Sequence, residues 1–84
     1  MTLEFVTEYL DKKISENPNF IRCTYYDFLV KNKRMNAEKY DFLNFARIRL
    51  NNMNYKVYTE GQKYEYNGKT KEVQINELLI AIKE

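Results

Sequence analysis

The sequence predicts an α+β fold: three helices with a small antiparallel β-sheet and a β-hairpin. Two observations carry that prediction. Apolar residues recur at helical spacing as far as Asn52, and after Asn54 the pattern changes to the alternation of half-buried strands. Within that second part, Asn67-Gly68 is a strong hairpin signal, because a type I′ turn needs positive φ at both central positions. A chain of 84 residues makes one domain, expected to span residues 1–84, near the lower end of what folds without a disulfide or metal staple.

The first helix is predicted over residues 3–16. Leu3, Val6, Leu10 and Ile14 recur at helical spacing, while Glu4, Glu8, Asp11 and Lys12 supply the wet side. Thr2 is the expected N-cap, and Asn17-Pro18-Asn19 stops the helix. Phe20-Ile21-Arg22-Cys23 is a short β-prone run. Thr24-Tyr25-Tyr26-Asp27 then fits a capping box, with the Thr hydroxyl and the Asp carboxylate each taking an orphan amide. A short second helix follows to about Val30 and is expected to bury Tyr25, Phe28 and Leu29.

Residues 31–35 form a polar turn, Asn36 can cap a third helix, and that helix should run from Ala37 to about Asn52. At ~100° per residue, Phe42, Leu43, Ala46, Leu50 and Met53 share one apolar face. The opposite face carries Asp41, Asn44, Phe45, Ile48, Arg49 and Asn52. Phe45 and Ile48 on that face either meet a second packing element, such as the first helix, or form an exposed apolar patch for a partner or a dimer.

Tyr55 to Tyr58 and Lys63 to Tyr66 read as strands with a turn or bulge at Gly61, and Lys69 to Gln74 is the returning arm. In the last segment Ile75, Leu78, Leu79 and Ile82 fit helical spacing. Leu78 to Ile82 is also apolar at every position, which suits a fully buried strand, and the strand is the favoured reading.

Composition removes most chemistry. The chain has no His, one Cys, two Gly and one Pro. Without His and with a single Cys there is no common zinc or haem ligand set and no intramolecular disulfide, so neither metal nor cofactor is expected. Ser15 is the only serine, and Cys23 sits among apolar and aromatic residues, where a thiol behaves as a small hydrophobe. Gly61 and Gly68 stand alone and form no phosphate-binding loop. An enzyme is not expected. No segment approaches the ~18 apolar residues that span a bilayer, and Met1-Thr2-Leu3-Glu4 lacks a basic, signal-like start. The expected compartment is the cytoplasm, which also suits an unpaired Cys. Ten Lys, ten Asn, eight Tyr and six Ile are all favoured by AT-rich codons, pointing to a low-GC bacterium or a plasmid or phage, that is, a mobile genetic element.

The order helix, short strand, short helix, turn, long helix, hairpin with a basic loop resembles a winged helix-turn-helix domain, and the resemblance covers nearly the whole chain. It rests on element order and lengths. It implies that the last strand lies between the other two, where a run apolar at every position is at home. It also implies binding to double-stranded DNA. Residues around the start of the third helix (Asn36, Lys39, Tyr40, Asn44 and Arg47) would face the major groove. The turn residues Lys31, Lys33 and Arg34 would meet phosphates, and Lys69 and Lys71 would form the wing. Physically, phosphates require positive charge, and base edges require Arg, Asn or Gln forks.

The net charge of +2 is unevenly spread. Residues 1–20 carry a net −2, residues 31–54 a net +4, and residues 55–84 balance. The excess falls on the turn and third helix. Against DNA stand Glu38 and Asp41 in the first turns of that helix, although acidic residues also suit a helix N-terminus. A homodimer would double the positive surface.

Three functions follow as expectations. The first is a sequence-specific DNA-binding protein, a transcriptional regulator or a plasmid or phage accessory factor, with Asn44 and Arg47 reading bases. The alternative is a protein-interaction module of winged-helix shape, such as an inhibitor docking on a host protein through Phe45, Ile48 and Arg49 and through hairpin tyrosines. The third is single-stranded nucleic-acid binding by stacking on Tyr55, Tyr58, Tyr64 and Tyr66, against which stands their ordinary use in core and sheet packing.

Overall fold

A computed structural model describes the backbone of residues 3–32 and 37–84 and the side chains of residues 4–30 and 39–84. The element order is α1 (Leu3–Glu16), β1 (Phe20–Thr24), α2 (Tyr25–Asn32), α3 (Ala37–Asn52), β2 (Tyr55–Thr59), β3 (Lys63–Tyr66), β4 (Lys69–Glu72) and β5 (Glu77–Lys83). The chain is thus α+β, with three helices and small antiparallel sheets among the described residues. The expected caps Thr2 and Asn36 lie outside those residues.

The stops between elements have local causes. After α1 the Asn17 side chain accepts the Asn19 amide at 3.1 Å, an Asx turn that steers the chain into β1. Thr24 ends β1 and caps α2: its hydroxyl accepts the Asp27 amide at 3.1 Å. The chain leaves α3 through Asn54, whose φ of 66° is the left-handed conformation that Asn tolerates best among residues with a side chain. Asn67 and Gly68, at φ 53° and 76°, form the two-residue loop between Tyr66 and Lys69.

β5 is the centre of a three-stranded antiparallel sheet ordered β1-β5-β2. Its apolar run therefore has cover on both faces, because neighbouring side chains in a strand point in opposite directions. Leu79 and Ala81 join Ile21 and Cys23 of β1 and Tyr55 of β2 against the helices, where Val6, Leu10, Phe28, Phe42, Ala46 and Leu50 complete the main core. A register shift at Cys23/Thr24 lets Leu78 face the same core as Leu79. Three aromatic rings lock the helices at this centre: Phe28 and Tyr9 each meet Phe42 edge-on, with centroids 5.1 and 5.5 Å away.

The opposite sheet face carries Phe20, Tyr58, Ile80 and Ile82 and is covered by the β3–β4 hairpin. Tyr64, Tyr66 and Val73 pack there in a second, smaller cluster. The Phe20 and Tyr66 rings lie 4.6 Å apart and anchor the hairpin across the sheet towards β1. The fold thus has three layers: helices, central sheet and folded-back hairpin.

Two expectations about burial are corrected. Leu29 is not buried with Phe28. It lies about 100° further round an eight-residue helix and, with Tyr26 and Val30, points outwards. Tyr55, Tyr58, Tyr64 and Tyr66 do not stand together as a free stacking row, because Tyr64 is buried beneath the hairpin and Tyr55 lies in the main core. Tyr55 also donates a hydrogen bond to the Pro18 carbonyl.

Candidate nucleic-acid interface

α3 is held by its inner face and presents a polar stripe on its outer side. Phe42, Ala46 and Leu50 are fully buried, with Leu43 and Met53 half-buried beside them. On the far side Tyr40, Asn44, Arg47 and Asn51 are all exposed, at spacings that place them within about 60° of one another around the helix. Ile48, 61% exposed, and Asp41 border the stripe. A phenol, two amides and a guanidinium therefore stand side by side on a rigid support. Sequence reasoning missed Asn51. Its place seven residues after Asn44 and four after Arg47 was the available signal.

Three expected site residues do other work. Lys39 is turned back: its ammonium lies 5.2 Å from the Tyr25 ring centroid and 3.9 Å from Glu60 Oε1. Arg49 donates from Nη2 to Asp11 Oδ1 at 2.8 Å, tying α3 to α1. Phe45 is half-buried against the main core, so the second packing contact holds for Phe45, while Ile48 remains outside. Of the two, only Ile48 keeps a largely exposed apolar surface. Phe45, Ile48, Arg49 and Met53 line an open groove of ≈ 420 Å³ that also includes Thr7 of α1.

Lys33, Arg34 and Asn36 lie outside the described residues, as do the side chains of Lys31 and Glu38. Lys69 and Lys71 are exposed on β4, but the hairpin lies on the sheet face opposite the helices. Those two lysines and the α3 stripe are therefore not brought together on one surface.

Cys23 is fully buried, and burial pushes its thiol up from the ordinary 9.0 to about 12. Such a group is a packing residue and a poor nucleophile. Among the described residues no group of three or more His, Cys, Asp or Glu side chains is placed to hold a metal ion. No described helix is long and apolar enough to cross a membrane. No family model, curated protein or solved structure matches the chain.

Proposed function

We propose that this chain is a small winged-helix DNA-binding protein that lays the outer face of α3 in the major groove of double-stranded DNA. The observation that carries the reading is the exposed stripe Tyr40, Asn44, Arg47 and Asn51 on a helix anchored from behind by the buried Phe42, Ala46 and Leu50. Arg and Asn present the forked donors and acceptors that distinguish base edges, and a helix is the element a major groove admits. Lys31, Lys33 and Arg34, which precede α3 in the chain, are proposed to meet phosphates. Element order and the central last strand support the winged-helix assignment. The hairpin departs from that pattern, because it is folded onto the sheet, and it is left out of the duplex contact. The role proposed is binding without catalysis, as a transcriptional regulator or as an accessory factor of a plasmid or phage. A homodimer would present two α3 faces to two half-sites.

Fluorescence anisotropy with a labelled mixed-sequence duplex tests the reading. Binding is expected at low salt and should weaken steeply as salt rises, through counterion release. Arg47→Glu should lower the affinity by about tenfold or more, the loss of one charge-assisted contact plus a repulsion. Absence of binding at low salt would remove the proposal.

A second reading has its own observation. Tyr26, Leu29 and Val30 on α2 are 77%, 39% and 52% exposed, and share a face by their spacing. Such a stripe supports a protein-interaction module that docks on a host protein. Retention of duplex binding by Leu29→Glu and Val30→Glu variants would separate this surface from the α3 stripe.

A further inference from the structure

We propose that the cleft between β1 and the β3–β4 hairpin binds single-stranded nucleic acid, with phosphates on Lys69, Lys71 and Arg22 and a base against Phe20 and Tyr66. The pairing register builds the cleft. Tyr64 lies opposite Lys71 and Tyr66 opposite Lys69, and residues directly opposite in an antiparallel ladder project to the same side. Because Tyr64 and Tyr66 face the sheet, both lysines face it as well, alongside Phe20. On β1, Phe20 and Arg22 alternate with the core-facing Ile21 and Cys23 and so point to this same side.

Two adjoining hollows of ≈ 220 and ≈ 500 Å³ result, sharing Phe20, Tyr64 and Lys71. Their cations are available. Among the described residues, no ion pair occupies Lys69 or Lys71. Arg22 bonds Glu77 only through Nε and keeps 53% of its side chain exposed, while Glu77 is buried and also accepts the Gln74 amide at 2.9 Å. Glu77 thus fixes Arg22 from behind. Glu72 and Glu77 both line the larger hollow and limit the positive potential there, which favours phosphates entering beside Lys69 and Lys71 in the smaller one.

Cations interleaved with half-exposed rings are what an unpaired strand requires: charge tracks its backbone, and aromatic faces take unstacked bases. A duplex keeps its bases stacked inside and offers nothing to Phe20 or Tyr66. The inference is independent of the α3 reading, because the cleft lies on the opposite side of the central sheet from α3.

The test is anisotropy at low salt with a labelled oligothymidylate of about 12 nucleotides, within the usual site size of such modules. The wild-type chain should bind it, Lys69→Glu/Lys71→Glu should weaken binding by about tenfold or more, and Arg47→Glu should leave it unchanged. Tyr66→Leu should weaken binding severalfold while Tyr66→Phe does not. If the double-Glu variant loses its native circular dichroism, Lys69→Gln/Lys71→Gln takes its place with a smaller loss in the same direction. An affinity unaffected by the lysine variants, or no binding of the oligonucleotide, would overturn the proposal. Equal competition by polyphosphate, with no effect of Tyr66→Leu, would also overturn it, since the cleft would then read charge alone. Loss of duplex binding in Arg47→Glu with the oligonucleotide still bound would separate the two sites.

Discussion

The Tyr9 hydroxyl donates a 2.6 Å hydrogen bond to Asp27 Oδ2, joining α1 to the first turn of α2 across 18 residues of sequence. Lys13, one turn after Tyr9 on α1, reaches the same carboxylate oxygen at 3.1 Å. The Asp27 amide is meanwhile held by Thr24, so one residue fixes both the start of α2 and its angle to α1. Removing the hydroxyl with Tyr9→Phe leaves a part-buried carboxylate short of a donor. The expected cost is about 1–2 kcal/mol, read as a lower urea midpoint with an unchanged m-value. Duplex affinity should stay the same, because the bond stabilises the scaffold and does not touch the α3 stripe.

The two faces of α3 should respond very differently to truncation. Leu50 is fully buried in the main core, and Leu50→Ala should destabilise by about 2–5 kcal/mol. Ile48, two residues away and largely exposed, should change stability by no more than about 0.5 kcal/mol on Ile48→Ala. Thermal unfolding of the two variants measures both. Equal losses would mean that Ile48 is covered, which the placement of α3 excludes.

Much of this arrangement was legible in the sequence. Leu78 to Ile82, apolar at every position, pointed to a strand with cover on both faces, and β5 is central. Asn67-Gly68 announced its turn because few residues tolerate positive φ. The folding-back of the hairpin was not read, although a sign of it was present: Ile80 and Ile82 point away from the helices and needed a covering layer, which Tyr64, Tyr66 and Val73 supply. The pairings of Lys39 with Glu60 and Arg49 with Asp11 were not legible at all. They join positions 21 and 38 residues apart, and only the packed fold brings them together. The net +4 of residues 31–54 therefore overstated the charge free to meet a partner.

The Asp11–Arg49 pair is a surface contact, with side chains 51% and 33% exposed. Solvent screening limits such a pair, and a double-mutant cycle should give a coupling of about 0.2–1 kcal/mol that falls with salt. Arg49→Gln should leave duplex affinity nearly unchanged, in contrast to Arg47→Gln, which should lower it several-fold. Identical effects would show that the exposed and the paired arginine are equivalent.

The fold should lose stability at alkaline pH. Burial holds the Cys23 thiol up at about 12 against an ordinary 9.0, and burial also raises the hydroxyls of Tyr9 and Tyr55. Each group has a higher pKa folded than unfolded, so the unfolded chain releases these protons first. Their contribution is complete below about pH 9 and declines as pH rises towards the folded values. Urea midpoints should be level through neutral pH and fall above about 9, and Cys23→Ala should make that fall shallower. At neutral pH a thiol reagent should label Cys23 only at the rate of unfolding.

The most direct measurement is a map of amide chemical shifts in the ¹⁵N-labelled protein as an unlabelled duplex is added at low salt. The outer face of α3 is predicted to carry the largest perturbations, at Tyr40, Asn44, Arg47 and Asn51, with the β3–β4 hairpin little changed. Perturbations centred on the hairpin, or on Tyr26, Leu29 and Val30 of α2, with the α3 stripe silent would contradict the assignment of α3 as the duplex-binding helix.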